Sequence, residues 1–261
     1  MTLFLPEQTE TLRQLSDLWA DTPFVLIGAN ALALQMDLEW RQTSDLDFVI
    51  SIALEDYPAG LATLPGWQRR RREGEHAWLS PTGVKVDVVP AGPGLLDAGS
   101  LIWPESGYRM NLVGLRLAFD HHVHIPIDDG HSVKVATTPA IVVLKIVAFL
   151  DRPDREDDLT DIAQVLERYL GPIDDRRWKL PLDFDNMSSF ALGMDVGSMI
   201  NTKEPEVVTT FVAKARDEEE RDRTHARLIR NGPLLWREHP EVLFDRLAAF
   251  DKGMLESGDS R

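Results

Sequence analysis

Two aspartates at the head of an apolar run constrain the fold of this chain more than any other feature. Asp45 and Asp47 are separated by one residue, and the sequence of residues 47–51, DFVIS, predicts a buried strand. Side chains two positions apart in a strand point to the same face, so the two carboxylates are expected to lie side by side. Adjacent carboxylates repel each other, and a hard divalent cation such as Mg²⁺, which prefers carboxylate oxygens, would relieve that repulsion.

A third acid, Asp87, interrupts another strand-like run, residues 85–89 with the sequence KVDVV. The alternation predicts that Asp87 points to the face opposite the valines. If this strand pairs with the strand that begins at Asp47, three carboxylates converge, and such a set can hold two cations about 3.5–4 Å apart for in-line phosphoryl transfer. The alternative interpretation is that aspartates at a strand end only face water or cap the next element.

Hydrophobic periodicity divides the chain into a mixed first half and a helical second half. It predicts an amphipathic helix over residues 7–20, a strand over 24–27 and a short helix over 31–38. Further strands are predicted at 47–51, 68–72, 76–79, 85–89, 123–127 and 133–136, and helices at 138–151, 157–170, 188–200, 205–230 and 239–250. We therefore expect an α/β (α+β) fold, with an α/β domain over residues 1–136 and a helical domain over residues 137–261.

Composition and charge exclude several classes of protein. The 43 acidic residues outnumber the 28 basic ones, and the formal charge of −15 is opposite to the clustered positive charge with which proteins coat nucleic acid. The absence of cysteine excludes disulfide frameworks, thiolate zinc sites and cysteine nucleophiles. The first residues lack the basic and apolar regions of a signal peptide, and the longest apolar stretch, residues 140–150, is about half a membrane span. We expect a cytoplasmic protein with no membrane partner.

Four motifs follow each other along the chain in a recognisable order. They are GANA at residues 28–31, RQTSDLD at 41–47, Lys145 within a predicted helix, and REDDLTDI at 155–162. In this order they resemble the motifs of the nucleotidyltransferase superfamily with the polymerase-β-like fold, and above all those of the AbiEii-type nucleotidyltransferase toxins and their bacterial relatives. The resemblance covers residues 23 to about 166. It implies a mixed sheet with flanking helices, followed by a C-terminal helical domain.

The resemblance implies a reaction, which is the transfer of a nucleoside monophosphate from an NTP to an acceptor hydroxyl with release of pyrophosphate. Two Mg²⁺ or Mn²⁺ ions are implied as cofactors, and an antitoxin protein is implied as a partner. The implied acceptor is RNA, such as the 3′ end of a tRNA. Because the net charge argues against RNA, a protein or a small molecule stays open as the acceptor.

The resemblance also implies a role for each motif residue. Asp45 and Asp47 would hold the metal that carries the nucleotide, while Asp87 would complete the second metal site and help to deprotonate the acceptor hydroxyl. Gly28 and Asn30 would line the turn that contacts the phosphates, where a glycine lets backbone N–H groups approach. The other implied nucleotide-binding residues are Arg41, Ser44, Lys145, Asp158 and Asp161.

Lys145 lies among apolar residues of the helix predicted over 138–151. By the resemblance, its ammonium would neutralise the β- or γ-phosphate as a point charge. Asp158 and Asp161, three positions apart on one helical face, would position Lys145, the general base or the acceptor. Without the resemblance, Lys145 is explained equally well as a lysine whose stem lies along the helix and whose ammonium reaches water.

Two departures from the family pattern leave a second function open. The small hydroxyl residue that the family places in the glycine turn is replaced by Ala29 and Asn30, and the basic residue that often precedes the Asp-Leu-x-Asp motif is Asp157. Both fit a catalytically silent nucleotide-binding or protein-interaction module on the same fold. Since neither replaces a presumed metal ligand, we favour the transferase.

Three further patterns have simpler interpretations than a site. The basic run at residues 69–72 favours an exposed edge strand protected by charge over a contact with phosphates. Among the histidines at 121, 122 and 124, two lie two positions apart in a strand and share a face as zinc ligands do, but no third ligand is evident nearby in the sequence. The charged run at residues 214–230 predicts a solvated helix with ion pairs four residues apart.

Overall fold

The structure is a computed structural model that describes residues 4–40, 43–57, 59–171, 173–178 and 185–258. The chain forms two compact units, residues 1–141 and 142–261, and the boundary falls within one helix. Each unit has its own buried apolar core. Within the described ranges, no helix combines the length and the apolar character that a membrane crossing requires.

The first unit is built on a mixed sheet. Its strands are β1 (Phe24–Ile27), β2 (Leu46–Ile50), β3 (Gln68–Arg69), β4 (Ala77–Leu79), β5 (Lys85–Pro90), β6 (Ser100–Ile102), β7 (Arg109–Asn111), β8 (His122–Pro126) and β9 (Ser132–Ala136). Seven of them form one sheet in the order β3-β4-β5-β2-β1-β9-β8, and β6 and β7 form a separate two-stranded sheet. In the centre of the sheet, β2 runs antiparallel to β1 and parallel to β5.

Short helices accompany this sheet. They are α1 (Pro6–Leu18), α2 (Gly28–Ala33), α3 (Ala59–Thr63), α4 (Pro93–Ala98) and α5 (Leu115–Asp120). The amphipathic α1 buries Leu12 and Leu15 completely, while β2 buries Phe48. Burying side chains of this size stabilises the fold by about 1.5–3 kcal/mol each. The apolar alternation of the central strands therefore fixes which residues of the sheet face away from the core.

The second unit is entirely helical in its described part. Its helices are α6 (Thr138–Asp151), which begins in the first unit, α7 (Glu156–Arg168), α8 (Met187–Met199), α9 (Glu204–Arg216), α10 (Thr224–Asn231), α11 (Leu234–Glu238) and α12 (Glu241–Gly258). Helices α8 and α12 meet at glycines, since a Cβ on Gly193 would lie 2.0 Å from the carbonyl oxygen of Phe250. No side chain fits between the two backbones at this crossing.

The structure confirms the mixed α/β fold class and the pairing of β2 with β5, but one predicted helix is wrong. The helix expected over 205–230 is broken into α9 and α10. Arg223 adopts a left-handed conformation (φ 53°), which a continuous helix excludes. The ammonium of Lys214 binds Glu220 and Asp222 in the intervening turns. These charges therefore close a loop instead of lining a solvated helix.

Candidate active site

The three predicted carboxylates lie at one end of the central strands. In the parallel pair of β2 and β5, Asp47 stands opposite Asp87. On the other side of β2, Asp47 stands opposite Ile27, the last residue of β1. Asp45 is exposed just before β2, and Asp47 and Asp87 are half-buried. The fold thus brings the three aspartates to the carboxyl end of β1, beside the turn that begins at Gly28.

The carboxylate of Asp87 is electrostatically strained. Burial raises its pKa above the ordinary value for an aspartate, and the negative charge of Asp45 raises the pKa further. Nearby His76, Arg70 and Lys85 act in the opposite direction without cancelling the shift. An additional positive charge at this position would relieve the strain.

Gly28 permits the close approach of Asp47. It has a positive φ of 73°, and a Cβ on it would lie 2.2 Å from Oδ2 of Asp47. Any residue with a side chain would therefore displace the carboxylate. This contact gives the glycine of the turn a structural function, and its predicted approach to phosphates stays a prediction.

Asn30 and Ser44 position Asp45. The side chain of Asn30 is buried, and its Nδ2 donates a hydrogen bond to the backbone oxygen of Asp45 at 3.2 Å. The hydroxyl of Ser44 donates to Oδ1 of Asp45, also at 3.2 Å. Both residues thus fix the position of a candidate metal ligand, which the sequence did not indicate. Their binding to the nucleotide stays a prediction.

The donor set suits a hard divalent cation. Carboxylate oxygens are the ligands that Mg²⁺ and Mn²⁺ take in proteins. Asp47 and Asp87 occupy opposite positions on neighbouring strands, and Asp45 is close enough to raise the pKa of Asp87. In the part of the chain that the structure describes, no group of three or more His, Asp or Glu side chains is already spaced as a metal site. The residue types fit the ion, and the negative charge of Asp45 near Asp87 gives a physical reason for its binding.

Lys145, Asp158 and Asp161 form a buried ion cluster within the second unit. The ammonium of Lys145 lies 3.0 Å from Oδ1 of Asp158 and 2.7 Å from Oδ2 of Asp161. All three residues are at least 94% buried, and Arg155 also binds Asp158. Burial alone lowers the pKa of Lys145, but the two carboxylates outweigh it and the net pKa is raised. The ammonium does not reach water, so that interpretation of Lys145 is wrong.

Helix α10 holds the turn of α7 that carries this cluster. Glu156, at the start of α7, accepts hydrogen bonds from Arg227 at 2.9 Å, from Arg230 at 3.0 Å and from Asn231. The sequence did not indicate this clamp, because these partners lie in a different helix and belong to no motif. The clamp fixes the helix turn from which Asp158 projects.

The remaining sequence predictions concern Arg41 and the basic run at residues 69–72. Arg41 lies outside the described residues. The basic run begins in β3, an edge strand of the sheet, but only Arg69 belongs to that strand and the other three arginines follow it. Arg69 binds Glu105 at 2.6 Å. Arg70 binds Glu73 and lies near enough to Asp87 to lower its pKa.

His76 is a neighbour of the carboxylates that sequence reasoning missed. Its Nε2 lies 3.7 Å from Oδ2 of Asp87. The residue directly precedes β4, whose Ala77 stands opposite Asp87. The predicted neighbouring strands at 76–79 and 85–89 contained the signal, since a turn between them brings their residues together.

A family model agrees with the motifs. A family model described as "Nucleotidyl transferase AbiEii toxin, Type IV TA system" matches residues 10–234, which is most of the chain. No curated protein matches the sequence. Among solved structures, the chain is similar to an antigenic nucleotidyltransferase-like protein from Paracoccidioides brasiliensis, with 16% identity over 95% of each chain and a TM-score of 0.43.

Proposed function

This chain belongs to the AbiEii family of nucleotidyltransferase toxins, and from that membership we propose that it transfers a nucleoside monophosphate from an NTP to an acceptor hydroxyl. The observation that supports this most is the position of Asp47 opposite Asp87, with Asp45 beside them. In the reaction, the acceptor oxygen bonds to the α-phosphorus, the bond from that phosphorus to the bridging oxygen breaks, and pyrophosphate leaves.

Asp45, Asp47 and Asp87 would hold the divalent cations. Bound there, Mg²⁺ or Mn²⁺ would neutralise phosphate charge and favour ionisation of the acceptor hydroxyl. The protein contributes the placement of the three carboxylates, two of which are fixed by contacts with Gly28, Asn30 and Ser44.

Asp87 is the residue that we propose to take the proton of the acceptor hydroxyl. Burial and the charge of Asp45 raise its pKa above that of an ordinary aspartate. Cations held beside Asp87 would favour ionisation of the acceptor hydroxyl, whose proton Asp87 would help to remove. Its half-buried side chain remains partly open to solvent.

For the remaining residues we propose the roles that family membership suggests. Gly28, Asn30, Arg41 and Ser44 would contact the nucleotide, and Lys145 would interact with its phosphates. Asp158 and Asp161 would position the ammonium of Lys145, which their contacts support. An RNA 3′ end is the acceptor that we would test first, and an antitoxin protein is the proposed partner, since the family is described as part of a toxin–antitoxin system.

The test is pyrophosphate release from each NTP with Mg²⁺ or Mn²⁺ and total bacterial RNA, with Asp45→Asn measured in parallel. We expect release that requires RNA, favours one NTP and disappears in the variant. Nucleotide binding without release, with RNA, protein or small-molecule acceptors alike, would instead identify the catalytically silent module.

A further inference from the structure

We propose that His76 is a positioning residue for Asp87 and limits the rotation of that carboxylate where the cations bind. This inference rests on the proposed function. The backbone of His76 is fixed first, because its carbonyl oxygen accepts a hydrogen bond from the backbone N–H of Val88 at 2.9 Å. The next residue, Ala77, stands opposite Asp87 in the antiparallel pair of β4 and β5. The sheet therefore holds His76 and Asp87 at a constant separation.

The imidazole ring is also confined on two sides. The ring of Trp103 lies against it, with ring centroids 5.8 Å apart. A Cβ on Gly74 would lie 2.5 Å from Cε1 of His76, so the ring fills the space that a side chain at Gly74 would need. In this confined position, Nε2 is 3.7 Å from Oδ2 of Asp87.

The buried carboxylate of Glu75 stabilises this position of the His76 ring. Glu75 is 7% exposed, and it accepts hydrogen bonds from the backbone N–H groups of Glu105 at 3.0 Å and Ser106 at 2.8 Å. The hydroxyl of Ser106 donates a third bond at 2.9 Å. These bonds fasten the loop between β6 and β7, which begins with Trp103, to the segment that carries His76. Burying a carboxylate is costly unless it is fully bonded, and here the bonding immobilises the neighbour of Asp87.

Such support changes how well a carboxylate binds a metal. A free carboxylate rotates about its last bond, whereas one with a fixed polar neighbour keeps its oxygens in place. Removal of groups that orient metal ligands typically costs 10–100-fold in metal affinity or activity. The confined imidazole of His76 fits this function, since a purely structural histidine would not need its polar edge beside Oδ2.

The experiment is a titration of the nucleotide-free, full-length protein with Mn²⁺, followed by electron paramagnetic resonance. We expect His76→Ala to weaken Mn²⁺ binding about tenfold or more, while His76→Gln, whose amide keeps a polar group beside Asp87, retains most of the affinity. Gly74→Ala, which displaces the ring but keeps the histidine, should weaken binding as well. His124→Ala, which removes an exposed strand histidine, is the matched control and should bind as the wild type does.

Asp87→Asn separates this inference from the proposed function. If Asp87→Asn loses Mn²⁺ binding while His76→Ala binds like His124→Ala, the positioning role of His76 is wrong and the proposed function stands. If Asp87→Asn binds Mn²⁺ as the wild type does, the proposed metal site fails and this inference fails with it. Equal losses of Mn²⁺ affinity in His76→Ala and His76→Gln, at unchanged melting temperature, would also contradict the positioning role of His76.

Discussion

The α-carbon of Gly28 faces the carboxylate of Asp47 so closely that a Cβ would lie 2.2 Å from Oδ2. The turn after β1 and the second residue of β2 are therefore fitted to each other. A glycine is required here for two reasons. It adopts the positive φ of 73°, and it leaves the space that Asp47 occupies.

We expect Gly28→Ala to lose Mn²⁺ binding and turnover. The control is Gly83→Ala, at a turn glycine with a similar φ of 85°, where a Cβ would have no described atom within 4 Å. Both substitutions force an alanine into a left-handed conformation and should cost about 1–2 kcal/mol of stability. Only Gly28→Ala displaces Asp47, so a comparison of urea denaturation and Mn²⁺ titration in the two variants separates the effects. Equal Mn²⁺ affinity would show that the contact with Asp47 does not matter.

Lys145→Met should be strongly destabilised. Removal of the ammonium leaves Asp158 and Asp161 buried without their shared partner, which typically costs about 3–5 kcal/mol. Combining Lys145→Met with Asp161→Asn should restore much of the stability, because Asp158 keeps Arg155. Lys252→Met, at an exposed lysine, should change the free energy of unfolding by less than about 0.5 kcal/mol. A stable Lys145→Met protein in urea denaturation would contradict the buried cluster.

The aspartate positions could be predicted from the sequence because they depend on short-range patterns. The alternation around Asp87 indicates its face, and the apolar run after Asp47 indicates a neighbouring strand. The direction of the Lys145 ammonium could not be derived in this way, since apolar neighbours on α6 are equally compatible with burial and with exposure. Its partners lie on α7, and only the resemblance connected them to it.

Helix packing in the second unit depends on glycines that no chemical motif required. A Cβ on Gly193 would lie 2.0 Å from the carbonyl oxygen of Phe250. We therefore expect Gly193→Ala to destabilise the protein by about 1–3 kcal/mol through forced separation of α8 and α12. Gly94→Ala, in α4 with open space around it, should be neutral or stabilising by up to about 1 kcal/mol. Thermal unfolding of both variants measures the difference, and equal melting temperatures would contradict the close crossing.

Glu220 should make stability depend on pH. Burial alone would raise its pKa, but the ammonium of Lys214 and the backbone N–H of Thr224 lower it to about 2. A lowered pKa stabilises the fold above the ordinary glutamate value of 4.5, and this stabilisation is lost as the pH falls towards 2. Glu220→Gln should thus cost about 1–2 kcal/mol at pH 7 and less near pH 4. With exposed Glu218→Gln as the control, a deficit independent of pH in urea denaturation would contradict the role of charge.

Two features escaped prediction, one for a local reason and one for a long-range reason. The break between α9 and α10 depends on Arg223 in a left-handed conformation, which a residue other than glycine rarely adopts and which composition does not reveal. The predicted strands at 76–79 and 85–89 indicated that His76 lies near Asp87, but the placement of its ring depends on Trp103 and on the bonds of Glu75, which join separate parts of the first unit. Contacts between distant segments leave no periodic signal in the sequence.

Transfer of label from α-³²P-NTP to an acceptor tests the proposed transferase most directly. The assay compares the wild type with Asp47→Asn for each NTP, at a temperature where both proteins are folded. The control is Asp97→Asn, at an exposed aspartate that pairs with Arg116. We expect labelled RNA or another labelled acceptor with wild type and control, and a loss of about a hundredfold or more with Asp47→Asn. Transfer by Asp47→Asn at the wild-type rate would contradict the assignment of these carboxylates to catalysis.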